Sequence, residues 1–285
     1  MRREKRLNQG IIKNIAIVVQ PHQEISNGPD KKYGGVERVV TFLIEGLLNR
    51  NVDVSLYTAK KCSIDCRLIY PMGLFDGEFL EKSNQTQLAT YSRKIREDLE
   101  NKNFDVIIAP EHDDLKGENV ISSKGSIHYI TQSEIEKAKN YLVNKFQNEN
   151  IVSLILGGPT KYYSFSNEEL TQVFKKIKSN FISQGHKVLV IPSMRTPKRI
   201  IDLAMKEFVK EGFVVNTVDK QAYLSALALA TNIVVTCDST SMISEAAASG
   251  KPIFVAHMEP KKNNYRFEKF FQLFREMGIT KVLGE

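Results

Sequence analysis

Cysteine is scarce in this chain: three in 285 residues, Cys62, Cys66 and Cys237. An odd, small number excludes a disulfide framework and fits a reducing compartment. Cys62 and Cys66 have the spacing of half a metal site, but no second pair and no nearby histidine completes one, so no metal is expected. No apolar run approaches the roughly eighteen residues that mark a membrane span. The N-terminus lacks the apolar core and small-residue cleavage site of a secretory signal, which points to the cytoplasm. No tandem repeat is visible.

The composition is that of a folded protein, with 42% hydrophobic and 26% charged residues. The net charge is +7, from 40 Lys+Arg against 33 Asp+Glu. Most lysines are scattered over helix faces, so they read as solvated surface, and nucleic acid is not an expected partner. The densest basic stretch, Met1-Arg2-Arg3-Glu4-Lys5-Arg6, offers a peripheral contact with an anionic membrane at its inner face, without an apolar anchor.

Apolar runs and helical periodicities alternate along the chain. Strands are expected at 15–19, 52–57 and 67–70, with a helix over 36–50 that makes the first pair a βαβ unit. A helix over 87–100, a strand over 104–109 and two short strands around Gly125 complete the first half. A polar helix over 133–148 connects the halves. The second half reads more regularly. Strands at 151–156, 187–191, 213–216, 232–236 and 252–255 alternate with helices at 167–184, 196–211, 222–230, 239–249 and 266–277. Asn167 is the expected cap of the first of these helices. The βα order predicts an α/β fold of two Rossmann-like domains with parallel sheets. The expected domains are 1–132, then the connecting helix 133–149, then 150–263, with a C-terminal helix over 264–285.

Ligands in such sheets bind beyond the carboxyl ends of the strands, so the residues after each strand are the candidates. Leu156-Gly157-Gly158-Pro159-Thr160 follows the first strand of the second half. Its two glycines allow a backbone approach to a phosphate, or simply a turn needing positive φ. Ile191-Pro192-Ser193-Met194-Arg195-Thr196-Pro197 places Arg195 where a forked guanidinium would grip a diphosphate, or cap a surface loop. The strongest signal is the run from Thr236 through Asp238, Ser239, Thr240, Ser241 and Met242 to Glu245. A strand end enters a helix whose first turn is rich in hydroxyls and whose amides favour a phosphate. Glu245, farther along that helix, is placed to take both hydroxyls of a ribose. Capping by Asp238 or Ser239 explains the start of the helix but not a glutamate beside Ala246-Ala247-Ala248. In the first half, Pro110-Glu111-His112-Asp113-Asp114 follows a strand and offers a general base at His112, with Glu111 and Asp113 beside it. His112 and Asp114 lack a third metal ligand. The pair Gly34-Gly35 before a helix suits a phosphate or an acceptor, but it lacks the third glycine of a dinucleotide fingerprint, so NAD is not expected.

From 104 to 285 these stretches together resemble the elongated-mitochondria, or mitochondrial-fission-like, family. The resemblance is carried by Pro110-Glu111-His112-Asp113, Gly157-Gly158, Ser193-Met194-Arg195-Thr196-Pro197, the run from Thr236 to Glu245, Gly250-Lys251-Pro252 and the tail from Arg266-Phe267 to Gly278-Ile279. That family is similar to GT-B glycosyltransferases, which implies a nucleotide-sugar site in the C-terminal half with Glu245 on the ribose. Residues 14–59, through Tyr33-Gly34-Gly35-Val36-Glu37-Arg38, resemble the N-terminus of family 4 glycosyltransferases, where the glycine pair lies near donor phosphates and acceptor. The fold implied is GT-B-like with a shortened N-terminal half. The function implied is metal-independent transfer of a sugar from a nucleoside-diphosphate sugar, a substrate rather than a cofactor, to a cell-envelope or lipid-linked acceptor. An epimerase on the same fold, or a non-catalytic interaction protein at a membrane surface, are the alternatives. Met194, where the family more often carries a second arginine, and the short first half both bear on turnover more than on donor binding.

Overall fold

The computed structural model describes residues 14–18, 35–57, 62, 64, 66–69, 107–111, 116–118, 120–128, 130–146 and 149–285. The chain divides into two compact units. One comprises Met1–Pro110 with Asp114–Ser123, the other Glu111–Asp113 with Lys124–Glu285.

In the first unit, β1 (Asn14–Val18), α1 (Gly35–Leu48) and β2 (Asp53–Tyr57) form the expected βαβ unit, and β3 (Arg67–Ile69) extends it. All three strands run parallel in the order β1-β2-β3. Val40 and Ile44 of α1 are buried with Ile17, Val54 and Leu56 of the strands, which is what the apolar face of the helix predicts. A separate parallel pair joins β4 (Ile107–Pro110) to β5 (Val120–Ser123). The helix expected at 87–100 lies outside the described residues.

The second unit is a six-stranded parallel sheet in the order β11-β10-β9-β6-β7-β8. Its strands are β6 (Ile151–Leu156), β7 (Lys187–Pro192), β8 (Gly212–Val214), β9 (Asn232–Thr236), β10 (Ile253–Ala256) and β11 (Thr280–Val282). Every residue of the central β6 is buried, as expected of a mostly apolar strand covered on both faces, and its one polar side chain, Ser153, donates to the Ala226 carbonyl at 2.8 Å. The connecting helices are α2 (Gln132–Ala138), α3 (Asn167–Asn180), α4 (Lys198–Glu207), α5 (Lys220–Leu229), α6 (Thr240–Ala247) and α7 (Tyr265–Glu276). The chain winds outward from β6 to β8, then crosses back to β9 and winds out the other way. The order therefore reverses between β6 and β9, and the crevice beyond their carboxyl ends is where doubly wound sheets hold ligands.

Several local expectations are corrected. The connector over 133–148 is α-helical only to Ala138, then becomes two 3-10 turns, Lys139–Tyr141 and Val143–Lys145. Ser225 of α5 ends it: its Oγ accepts from the Leu142 amide at 3.1 Å and donates to the Lys139 carbonyl at 3.1 Å, both positions a continuing helix would use itself. Among the described residues one strand, β5, forms near Gly125; residues 124–128 are irregular and pack on α6. The edge strand β11 was not expected. Its alternation is short, and it is a strand because β10 offers it a parallel partner. Pro197 sits extended at the cap of α4, so that helix begins at Lys198.

Ser166, not Asn167, caps α3. Its Oγ accepts from the Glu169 amide at 3.1 Å, and the Glu169 carboxylate accepts from the Ser166 amide at 2.8 Å, a capping box. Replacing Ser166 with alanine removes one half of this exchange. It should lower stability by about 1 kcal/mol, read from the urea midpoint.

Candidate functional site

At the reversal point, the segments following β6, β7 and β9 meet on one carboxylate. The Asp238 side chain is fully shielded from solvent. It accepts from the Arg195 guanidinium at 2.7 Å, from the Thr236 hydroxyl at 2.7 Å and from the Gly158 amide at 3.3 Å. Thr236 also accepts from the Gly157 amide at 2.8 Å. Thr196 fastens the other side of the loop: its hydroxyl lies 2.8 Å from the Leu156 carbonyl and 2.7 Å from that of Gly157, and it accepts from the Ser193 amide. A buried carboxylate needs this many partners, because taking a charge out of water unpaired costs far more than any single contact returns.

The packing explains both glycines. A methyl group on Gly157 would collide with the Asp238 carboxylate, and one on Gly158 with the Arg195 carbonyl. Close approach is the reason. Neither residue is among those with positive φ, so the turn explanation fails.

From Asp238 the chain enters α6. Ser239 is the cap, its Oγ accepting from the Met242 amide at 3.3 Å. The amides of Thr240 and Ser241 have no acceptor among the described residues, which leaves an anion-favouring helix start beside Arg195 and the glycine pair. Residues 124–128 lie along α6: the Ser126 hydroxyl donates to Thr240 Oγ1 at 3.1 Å and its amide to Ser244 Oγ at 3.0 Å.

Glu245 is half-buried, not turned to water. Tyr223 of α5 donates its hydroxyl to the carboxylate at 2.9 Å. Burial pushes the carboxyl above its ordinary range, and the Tyr223 hydrogen bond only partly opposes this. The neighbouring Cys237 thiol, buried beneath the site, is pushed up to about 12, chiefly by burial, so it stays protonated and inert.

Gly157, Gly158, Arg195 and the start of α6 from Ser239 to Met242 are thus brought together, with Glu245 on the same helix. Thr236, Asp238 and Thr196 lie in the runs that the sequence points to but have no assigned role there, and Tyr223 lies outside them; all four complete the arrangement. A hydroxyl and an acid just past a strand end, opposite a glycine pair, are the signal that could have found the first two. Glu111 lies in an exposed ion pair with Lys124 at 2.6 Å. Gly35 begins α1 in the first unit. His112, Asp113 and Gly34 lie outside the described residues. No group of three or more metal-ligating side chains occurs among the described residues.

The chain matches the family described as mitochondrial fission ELM1 over residues 98–285, which includes every element of this arrangement. It belongs to that family. Among its relatives, uncharacterized protein RP120 of Rickettsia prowazekii (strain Madrid E) is 29% identical over 185 residues, spanning 61% of this chain and 50% of that protein. Mitochondrial fission protein ELM1 of Arabidopsis thaliana is 23% identical over 205 residues, spanning 62% and 47%. The matches therefore span about half the length of these relatives. Among solved structures, MurG of Acinetobacter baumannii is similar at a TM-score of 0.49 and 10% identity, over 95% of this chain and 85% of that one. No helix among the described residues is long and apolar enough to cross a membrane.

Two substitutions separate structural from chemical roles. Asp238→Asn breaks the charge pair and turns one acceptor into a donor, so stability should fall by about 1–3 kcal/mol in urea unfolding. Glu245→Gln should behave oppositely at neutral pH. The native carboxyl is raised above its unfolded value, so native Glu245 favours stability below that value and loses the contribution as pH rises through the folded one. The variant should therefore match or exceed the parent midpoint at neutral pH, and its advantage should vanish as pH falls into the carboxylate range.

Proposed function

We propose that the second unit binds a nucleoside-diphosphate sugar and that the protein is a GT-B-type glycosyltransferase acting on a cell-envelope or lipid-linked acceptor. The observation that carries this reading is the convergence at the reversal point. The glycine pair, Arg195 and the unoccupied amides of Thr240 and Ser241 face one locality, and Glu245 stands farther along the helix whose start supplies those amides.

In this reading the diphosphate rests on the start of α6. Only one edge of the Arg195 fork is committed to Asp238, and a guanidinium carries five N–H groups, so others remain for phosphate oxygens. Glu245 accepts from the ribose hydroxyls. The Tyr223 hydroxyl fixes its carboxylate so that it need not be ordered on binding. Fixed amides and a guanidinium stabilise charge on a departing diphosphate without a metal ion. Glu111, His112 and Asp113 supply the acid–base group toward the acceptor, and the Gly34–Gly35 pair is a phosphate or acceptor seat of the first unit. The protein works in the cytoplasm, in peripheral contact with an anionic membrane through its basic start.

A thermal-shift panel of UDP, GDP, ADP and their sugars tests the donor site, since a ligand that prefers the folded state raises the melting point. Glu245→Ala should weaken the preferred nucleotide by about 1–3 kcal/mol, the scale of a hydrogen bond to a charged group. Unchanged affinity would remove the ribose assignment. A nucleotide-sugar incubated without acceptor that returns a stereoisomer instead of remaining intact would make the protein an epimerase.

A further inference from the structure

Two loops at the carboxyl edge of the second sheet are laced together. The Thr160 hydroxyl, shortly after β6, accepts from the Tyr162 and Tyr163 amides at 3.1 Å each, which folds that loop into a tight turn. The loop after β10 closes on it. Tyr163 and Pro260 form an antiparallel bridge, and the Lys261 amide donates to the Tyr162 carbonyl at 2.7 Å. Phe267 of α7 packs on both tyrosine rings, with centroids 5.9 Å from that of Tyr162 and 5.9 Å from that of Tyr163.

This lacing gathers three lysines. The Lys161 ammonium stands 5.0 Å from the centre of the Tyr162 ring, and the Lys262 ammonium 5.6 Å from the same centre. The two are therefore at most about 11 Å apart, on the order of one screening length. The Lys261 ammonium donates to the carbonyl of Thr160, the neighbour of Lys161, at 3.3 Å. All three lysines are exposed. Glu259 and Glu268 are near in sequence, yet among the described residues none of the three lysines has a carboxylate within ion-pair distance. One ring answers two cations only in part, so the charge of the cluster is left for a partner.

We infer that this lysine cluster docks the second unit on an anionic phospholipid surface. Lysine is a compact, hydrated charge on a flexible stem, suited to a diffuse layer of headgroups and not to the forked grip of a single phosphate. Tyr265, three residues after Lys262 and 68% exposed, adds a ring with a polar tip, the kind of side chain favoured at a headgroup boundary. Single-stranded nucleic acid asks for successive open rings, and Tyr162 is already engaged by Phe267 and two ammonium groups. The contact is separate from the one proposed for the basic start and stands whether or not that one holds. Lys161 follows Gly158 by three residues, no more than about 11 Å of chain, so a bilayer held here lies beside the proposed donor seat. That consequence, unlike the docking, rests on the donor reading.

The test is co-sedimentation of the full chain with phosphatidylcholine vesicles that contain or lack phosphatidylglycerol. Binding is expected with phosphatidylglycerol alone, and it should weaken as salt is added. The triple variant Lys161→Gln, Lys261→Gln, Lys262→Gln should bind about a hundredfold more weakly, about fivefold for each lysine near the surface. A second variant, Lys175→Gln, Lys206→Gln, Lys210→Gln, removes the same charge from α3, α4 and the turn after it, and should stay within about twofold of the parent. Both should melt with the parent, because all six side chains are exposed. The inference is overturned by no binding to the anionic vesicles, by a loss under about twofold in the first variant, or by an equal loss in the second. A chain that ignores the vesicles and holds an oligonucleotide through these lysines has a nucleic-acid face instead. Changing Arg2, Arg3, Lys5 and Arg6 to glutamine reads the basic start separately. If that change releases the vesicles while the first lysine variant stays bound, the membrane contact belongs to the start and the inference fails.

Discussion

A carboxylate hidden from water beneath three strand ends organises the candidate site of the second unit. Asp238 sits where the sheet reverses its winding, and its charge must be answered locally because solvent cannot reach it. The answers come from Thr236 on its own strand, from the Gly158 amide after β6 and from Arg195 after β7. Two of these contacts have a further effect: Thr236 also catches the Gly157 amide, and Arg195 is drawn inward at one edge while half its surface stays open. Thr196 repeats the logic for the opposite polarity, placing its one hydroxyl donor within reach of two carbonyls. The loops at a doubly wound switch point are ordinarily the looser part of such a fold. Here they are tied to one another by the protein's own groups.

The fold of the second unit was legible because its signals are long and redundant. Five apolar runs with the lengths of strands, separated by amphipathic segments, leave little choice but a parallel sheet. Where tertiary contacts override local preference, the reading failed. The connector from 133 looks helical throughout, yet Ser225, far along the chain, captures its backbone after Ala138. Asn167 and Ser166 are both good caps, and only the reach of Glu169 distinguishes them. β11 is three residues long and exists through its neighbour.

The candidate site was legible in outline and not in its wiring. Glycines, an arginine and a hydroxyl-rich helix start announce themselves by position after strands. Asp238 does not, because an acid before a helix has an ordinary explanation as a cap. That explanation belongs to Ser239, which leaves the acid free to turn back under the sheet. Tyr223 was invisible for a different reason: its tie to Glu245 joins two helices whose relative placement no local pattern encodes. The raised proton affinity of Glu245 comes from its desolvation, which the Tyr223 hydroxyl only partly offsets.

The collision that a methyl on Gly157 would suffer has an inheritance side. Positions 157 and 238 occupy the same few cubic ångströms, so they are not independent variables in descent. A lineage that gains a side chain at the first must shrink or discard the acid at the second. With the acid goes the inward pull on Arg195. Divergent members of the family should therefore fall into two groups rather than a continuum: those with glycine facing aspartate, and those that have replaced both and anchor their arginine by some other means.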